Sequence, residues 1–254
     1  MSKLINTGVK LLVSAVLLAY LVYEVDVARL GDVFAQTVLW PFATAVGFFV
    51  LSNLLGSFQW FLLLRAQLIQ ISFWQALVFY FVGVFFNNVL LGNIGGDALR
   101  IYDIRRLSGS TSGGLAATLI DRFVGLFSTC SLALVAILMA AEIPVAGLLS
   151  ILVPVWLALV VILVMGLSRR LESRLEALAS AVLPRRLGSL LGDLRNSIVI
   201  YRHRVPLLVA VLGISLGVQS CRILVYWSAG LAVGLNAGLL YFVCFQPIAA
   251  IVAA

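Results

Sequence analysis

A chain of 254 residues that is 63% hydrophobic and 11% charged, with a mean hydropathy of +1.15, has too little polar surface to cover a water-soluble globule. Its apolar runs approach the ~20 residues a helix needs to cross ~30 Å of hydrocarbon, which predicts an all-α, polytopic transmembrane helix bundle. The net charge of +7 does not point to nucleic acid, because the arginines gather between apolar runs as they do in cytoplasmic loops. Cys130, Cys221 and Cys244 lie inside apolar runs without metal-ligand spacing, so they read as small core residues, and no metal or other cofactor is expected.

Lys3 and Lys10 flank the start of an apolar run from Gly8 to Tyr23. No small-residue cleavage site follows, which predicts a retained first span, an N-terminus inside and a multi-pass chain integral to the cytoplasmic (inner) membrane. Glu24, Asp26, Arg29 and Asp32 form a net-acidic connector suited to the outer face, and Leu30, Val33, Phe34, Thr37 and Val38 recur at the spacing of a helix lying in the interface. Trp40-Pro41 opens the second span, Phe42 to Leu64, where Asn53, Ser57 and Gln59 are polar spots able to bond to neighbouring helices. Arg65 puts its far end inside.

The next apolar run, Phe73 to Leu91, raises a question of parity. Arg65 before it and Arg100, Arg105 and Arg106 after it all favour the cytoplasmic face, and one crossing cannot satisfy both sides. A re-entrant, broken-helix hairpin near residues 73–107 resolves the conflict, with its break over Asn87 to Gly96 and a second short helix running out from Asp97. An ordinary span with an outer Arg100–Arg106 loop is the alternative. Backbone that leaves helical geometry at membrane depth is tolerated only where protein or a water-filled cavity satisfies its N–H and C=O groups, so this segment is the expected working part. Gly92, Gly95 and Gly96 would let backbone approach a ligand, and the N-terminus of the second helix would favour an anion such as a phosphate. Asp97 is expected as the N-cap of that helix. Arg100, one turn on, would snorkel to the interface or contact a phosphate.

After the small polar connector Ser108 to Gly114, the span Leu115 to Ala140 carries Asp121 and Arg122. At 1.5 Å per residue from Gly113, Asp121 sits ~12 Å along a helix crossing ~30 Å, close to the midplane. Glu142 and Pro144 make an outer turn, and Val145 to Leu167 returns inside. Residues 168–204 form a basic cytoplasmic loop, in which Leu171, Leu175, Leu178 and Val182 follow the helical period. An interfacial helix is expected there, attracted to anionic inner-leaflet lipids by about 1 kcal/mol per basic residue. His203, a lone loop histidine between Arg202 and Arg204, reads as a surface residue. Val205 to Leu235 is a further span with Gln219, Ser220 and Arg222 near its centre, and Leu239 to Ala254 begins one more. An apolar run ending without a polar cap suggests a single transmembrane domain, 1–254, cut short at its C-terminus.

Charges at mid-bilayer cost about 2.5–3.5 kcal/mol each on insertion scales, so Asp121, Arg122 and Arg222 need partners. Neighbours on a helix diverge by about 100°. Asp121 is therefore expected to pair with Arg222 or a hairpin arginine, while Arg122 faces the break. Clamps between helices, with no ligand, are the competing role for the same residues.

Asn87-Asn88 followed by Leu91-Gly92, then Gly95-Gly96-Asp97 with Arg100, Tyr102 and Arg105-Arg106, and later Asp121-Arg122, resemble the flippase-like transmembrane domain of lysylphosphatidylglycerol synthases. That group also includes stand-alone membrane proteins linked to export of lipids and lipid-linked glycans. The motifs cover roughly Trp60 to Gly125, and the order of spans agrees beyond them. The resemblance implies translocation of a lipid with a polar, often phosphate-bearing headgroup. Two departures stand out. Leu91 occupies the place of the usual proline, and the chain ends before the family's second Pro/Gly-rich break and its Arg-Glu pair. No segment resembles the soluble aminoacyl-transferring domain, so synthesis of lysylated lipid is not expected.

The candidate binding residues are thus Asn87, Asn88, Gly92, Gly95, Gly96, Asp97, Arg100, Asp121, Arg122 and Arg222, acting on a membrane phospholipid or polyprenyl-type lipid. A membrane enzyme or accessory subunit acting on a lipid-linked glycan or a phospholipid is the alternative. Against the enzyme, there is no Asp-x-Asp pair, no nucleotide-cradling loop, no Ser/His or Cys/His set and only one histidine. Homo-oligomerisation stays open.

Overall fold

Five stretches, residues 36–89, 94–139, 146–167, 196–202 and 204–252, are described by the structure, a computed structural model. The expectations for residues 1–35, for the basic loop through residue 195 and for His203 fall outside them. The described residues form helices and turns without a strand: α1 Leu39–Ala66, α2 Phe73–Val89, α3 Ile94–Ser108, α4 Thr111–Met139, α5 Ala146–Leu167, α6 Val205–Ala232 and α7 Leu239–Val252, with a short helical stretch at 196–202. The protein is an all-α membrane bundle. Helices α1, α4 and α6 are each long and apolar enough to cross a membrane.

Local chemistry sets several of the boundaries. Ser72 and Gln75 form a reciprocal capping box at the start of α2: the Gln75 amide donates to Ser72 Oγ at 3.2 Å and the Ser72 amide to Gln75 Oε1 at 3.0 Å. Ser110 Oγ accepts from the Gly113 amide at 3.1 Å and starts α4. Gly234, at φ +81°, takes the left-handed geometry that ends α6 and turns the chain into α7.

Helices α1 and α6 pack antiparallel as the central seam. At one end the Val38 amide donates to the Ala232 carbonyl at 3.0 Å. At the other, the Tyr201 hydroxyl donates to the Leu63 carbonyl at 2.9 Å and Gln67 Nε2 to the Ser197 carbonyl at 2.6 Å. Arg65, Arg105, Arg106, Arg202 and Arg204 all belong to this second end, hereafter the basic end. Helix α4 lies against the seam and α7 beside α4 and α6. Helix α5 packs on α4, where the Trp156 ring stacks on Phe127 and its Nε1 donates to Ser131 Oγ at 3.0 Å.

Helices α2 and α3 form the re-entrant hairpin. The connection from α3 to α4 returns to the connection from α1 to α2, since a Cβ on Gly113 would sit 3.2 Å from Ile69 and 3.6 Å from Gln67. Both feet therefore stand at the basic end, and the outer-loop alternative is overturned: α3 folds back along α2 and buries Arg100. Seventeen residues of α2 at 1.5 Å each carry the tip ~25 Å into the bundle. Residues 90–93, including Gly92, lie outside the described residues, as does the side chain of Asn88.

The glycines differ from expectation. Gly95 and Gly96 are helical, because α3 begins at Ile94 rather than near Asp97. Gly96 serves close packing, since a Cβ there would collide with the Gly83 carbonyl oxygen of α2 and come within 2.6 Å of Asn87 Oδ1. Gly96→Ala is thus expected to lower stability by about 1–3 kcal/mol through overpacking. Gly213→Ala, which meets nothing within 4 Å, should be neutral or stabilising by roughly 0.5–1 kcal/mol. Thermal unfolding in detergent compares the two, and equal effects would refute the packing role.

Candidate functional site

Helices α1 to α4, α6 and α7 line a half-open cavity of about 580 Å³. Its polar lining follows helical stripes. Ser52, Asn53, Gly56 and Gln59 come from α1 and Ser215, Gln219 and Arg222 from α6, in each case at spacings of three to four residues. Asn87 from α2, Arg100 from α3, Asp121, Arg122 and Thr129 from α4, and Gln246 from α7 complete it. Phe49, Val225 and Tyr226 supply apolar surface away from the hairpin feet.

Arg100 is the most enclosed of the charges, its side chain 6% exposed. Its guanidinium lies over a pair of adjoining rings, 5.2 Å from the Trp60 centroid and 4.8 Å from that of Tyr80, the two centroids being 6.5 Å apart. Both rings are themselves fixed. Trp60 Nε1 donates to Thr118 Oγ1 at 3.3 Å, and Gly56 leaves the room that Tyr80 occupies, since a Cβ there would strike the Tyr80 hydroxyl. Arg100 also bonds to Asp97 one turn back and stands 3.7 Å from Asp121 of α4. The snorkelling position expected for it is not adopted. A desolvated cation held by an aromatic pair and two carboxylates is a fastener joining α1, α2, α3 and α4.

Asp97 lies inside the first turn of α3 and is not its N-cap. The orphan amide of Gly96 is satisfied across the hairpin by Asn87 Oδ1 at 2.8 Å. That leaves the Asp97 carboxylate free to hold two arginines, Arg100 and Arg122, with Arg122 Nε donating to its Oδ2 at 2.7 Å. Arg122 therefore faces the hairpin, as expected. Asp121 pairs with a hairpin arginine rather than directly with Arg222, and its Oδ1 accepts from Gln59 Nε2 at 2.8 Å. Arg222 exerts an electrostatic influence on Asp121, yet among the described residues it makes no ion pair or hydrogen bond.

Three guanidinium groups thus face two carboxylates, leaving one positive charge. Gln59 Oε1, Arg100 Nε, Ser215 Oγ and Gln246 Oε1 line this space and are buried without a hydrogen-bond partner. Such atoms cost free energy unless water or a ligand meets them. The hydroxyls of Ser52 and Thr129 bond back to their own helices, at Phe49 O and Gly125 O, and make no such demand.

Sequence reasoning placed Asn87, Gly96, Asp97, Arg100, Asp121, Arg122 and Arg222 in one region, and the structure brings their helices together. It missed the Trp60–Tyr80 pair beside Arg100, Ser215 and Gln246. The polar stripes on α1 and α6 were the available signal.

A family model described as the lysylphosphatidylglycerol synthase TM region matches residues 8–254. The chain belongs to this family. It is accordingly a lipid-related membrane protein. Neither the curated proteins nor the solved structures contain a match to it.

The two arginines on Asp97 should differ sharply when removed. Arg100→Gln leaves the buried Asp121 carboxylate without its ion pair and Asp97 with Arg122 alone, and is expected to cost about 3–5 kcal/mol. Arg122→Gln, at a side chain 42% exposed, should cost less than about 1 kcal/mol. Thermal unfolding in lipid nanodiscs measures both, and similar losses would contradict the fastener role of Arg100.

Proposed function

We propose that this member of the lysylphosphatidylglycerol synthase TM family binds a lipid by its anionic headgroup in the cavity beside the hairpin and moves that headgroup between leaflets. The observation that carries the reading is the excess guanidinium charge together with unpartnered buried polar atoms, enclosed among membrane helices. Buried ionisable groups at that depth are expensive in lipid, and they are characteristic of substrate pathways. A purely architectural cluster would be served best by matched charges and satisfied amides, whereas this one retains a positive charge and open acceptors.

In this reading Asp97, Asp121 and Arg100 hold the frame. Arg122 and Arg222 present positive charge to the headgroup. Asn87 and Gly96 bring the two arms of the hairpin together beside the cavity. The basic end faces the cytoplasm, in keeping with the positive-inside rule, in the inner membrane of the cell. The hairpin then closes the cavity on that side, and Phe49, Val225 and Tyr226 offer apolar surface to the acyl chains. A phospholipid or a polyprenyl-phosphate lipid satisfies this chemistry.

Proteoliposomes loaded with headgroup-labelled anionic lipid test the proposal. Wild-type protein should expose inner-leaflet headgroups to an external quencher. Arg122→Ala and Arg222→Ala should slow that exposure by about tenfold or more while remaining folded, the factor expected for losing one charge-assisted contact. Unimpaired movement in both variants would remove the cluster from the proposal. Product formation from an activated sugar and lipid phosphate would replace transport with enzymatic transfer.

A further inference from the structure

The chain traces one path twice, in opposite directions. Helices α1 and α6 each have 28 residues, and the turns that follow them, 67–72 and 233–238, are of equal length. Leu39 thus corresponds to Val205, Ala66 to Ala232, and Phe73 at the start of α2 to Leu239 at the start of α7, a constant offset of 166 residues. The turns match bond for bond. After α1 the amide of Gln67 donates to the Leu63 and Leu64 carbonyls, that of Leu68 to Arg65 and that of Ile69 to Leu64. After α6 the amide of Val233 donates to Ala229 and Gly230, that of Gly234 to Leu231 and that of Leu235 to Gly230, which are the same bonds at the same offset. Leu68 at φ +60° and Gly234 at φ +81° hold the equivalent left-handed position, which a leucine takes only where the turn demands it. Because α1 runs toward the basic end and α6 away from it, the two units are related by an axis in the membrane plane.

The cavity sits on that axis. Two equal antiparallel helices tied at both ends have their axis at their midpoints, Ser52–Asn53 of α1 and Val218–Gln219 of α6, and all four residues line the cavity. All five lining residues from α1 have their correspondents in the lining from α6, Gly56 with Arg222 and Gln59 with Val225 among them. Tyr80 of α2 likewise corresponds to Gln246 of α7. The two units differ in conformation. Trp60 is fully buried beneath Arg100, whereas its correspondent Tyr226 is 55% exposed. Tyr80 is packed against Arg100 and Gly56, whereas Gln246 reaches only Gln219, at 3.4 Å, and leaves its Oε1 unmet. The α1–α2 unit is closed over the cavity and the α6–α7 unit is open.

We infer that α1–α2 and α6–α7 are inverted repeats which exchange these closed and open conformations, so that the cavity on their axis faces the two sides of the membrane in turn. When a site lies on the axis between inverted repeats, such an exchange moves its opening from one face to the other without moving the site. Helix α2, with its α3 arm, swings on the 67–72 turn and α7 on the 233–238 turn, while the α1–α6 seam stays in place. In the exchanged state Tyr226 is covered and Trp60 uncovered. The inference rests on the reading that the protein moves a headgroup between leaflets, and it supplies the route.

Sided labelling tests the exchange. In the full chain, with Cys130, Cys221 and Cys244 replaced by alanine, Asn53→Cys and Gln219→Cys place a thiol at the axis in either repeat, and a membrane-impermeant maleimide is added to one face or the other of sealed vesicles. Trp74→Cys at the basic end and Leu39→Cys at the opposite end, both exposed, report which face the reagent reaches. The axis thiols should react from both faces and each end thiol from one. Asp121→Asn removes a carboxylate that holds the hairpin closed, and should raise the rate from the basic face by about tenfold or more while lowering the rate from the other. Labelling of both axis thiols from a single face would overturn the exchange without needing the Asp121 variant, and headgroup movement retained in that protein would leave the lipid reading intact. Rates that rise or fall together in folded Asp121→Asn would overturn it as well, since a pore open to both faces behaves that way. Two-sided labelling in vesicles where no headgroup moves would uphold the exchange and overturn the lipid reading.

Discussion

A guanidinium group cannot sit among membrane helices unless its charge is met, and around Arg100 that requirement organises four helices. Trp60 from α1 and Tyr80 from α2 together form the aromatic surface on which it rests. Asp97 on its own helix and Asp121 on α4 supply negative charge. Each of these partners brings a further condition. Thr118 sets the Trp60 indole, Gly56 makes room for Tyr80, Gln59 orients Asp121, and Arg122 shares Asp97. The cost of removing a single ion from water is several kcal/mol even after relaxation. Such a group fixes the helices by penalising every arrangement in which one partner is missing, more than by adding attraction.

The hairpin exists for the same reason. A helix entering and leaving by one face must satisfy its exposed ends within the protein. Asn87 does so for Gly96, and the absence of Cβ atoms on Gly83 and Gly96 lets two backbones approach closely enough for that bond to form. The close approach carries Arg100 alongside Gly83, where a Cβ would lie 2.9 Å from its Cγ. Small residues in this hairpin therefore position a charge as well as a backbone.

Much of this was legible in residue order. The alternation of apolar runs and arginines located the helices from α1 onward, and the parity conflict between Arg65 and Arg100–Arg106 foretold the re-entrant hairpin, because charge asymmetry is a property of the chain itself. The depth of Asp121 followed from helical rise alone. The glycine pair was harder, since a helix break and a close helix crossing call for the same residue. Gly95-Gly96 suggested the former, and the structure uses Gly96 for the latter. Asp97 was misread as a cap for a related reason: an aspartate at the start of a helix satisfies an N-terminus or an ion pair equally well, and only the placement of Asn87 decides. The aromatic pair was beyond reach, because nothing in an apolar run distinguishes Trp60 and Tyr80 from lipid-facing rings. The polar stripes were visible as single residues. Their meaning needed the pairing of α1 with α6.

The asymmetry between satisfied and unsatisfied groups now gives the cavity a direction. Toward the hairpin, the cations and carboxylates answer one another, and the wall is closed by Arg100, Asp97 and Asp121. Toward α6 and α7, the balance fails: Arg222 faces the space without an ion pair among the described residues, and Gln246 Oε1 and Ser215 Oγ are buried without partners. Gln246 Nε2 reaches only Gln219 Oε1, at 3.4 Å, a long bond that holds neither amide firmly. A bundle selected for rigidity alone would gain by filling these positions with apolar side chains, since a half-satisfied polar network is worse than none. Retaining polar groups along one side of this space, opposite a side whose charges are paired, makes physical sense if something polar and negatively charged occupies it. The completed side would then be the frame and the incomplete side the surface that meets the cargo.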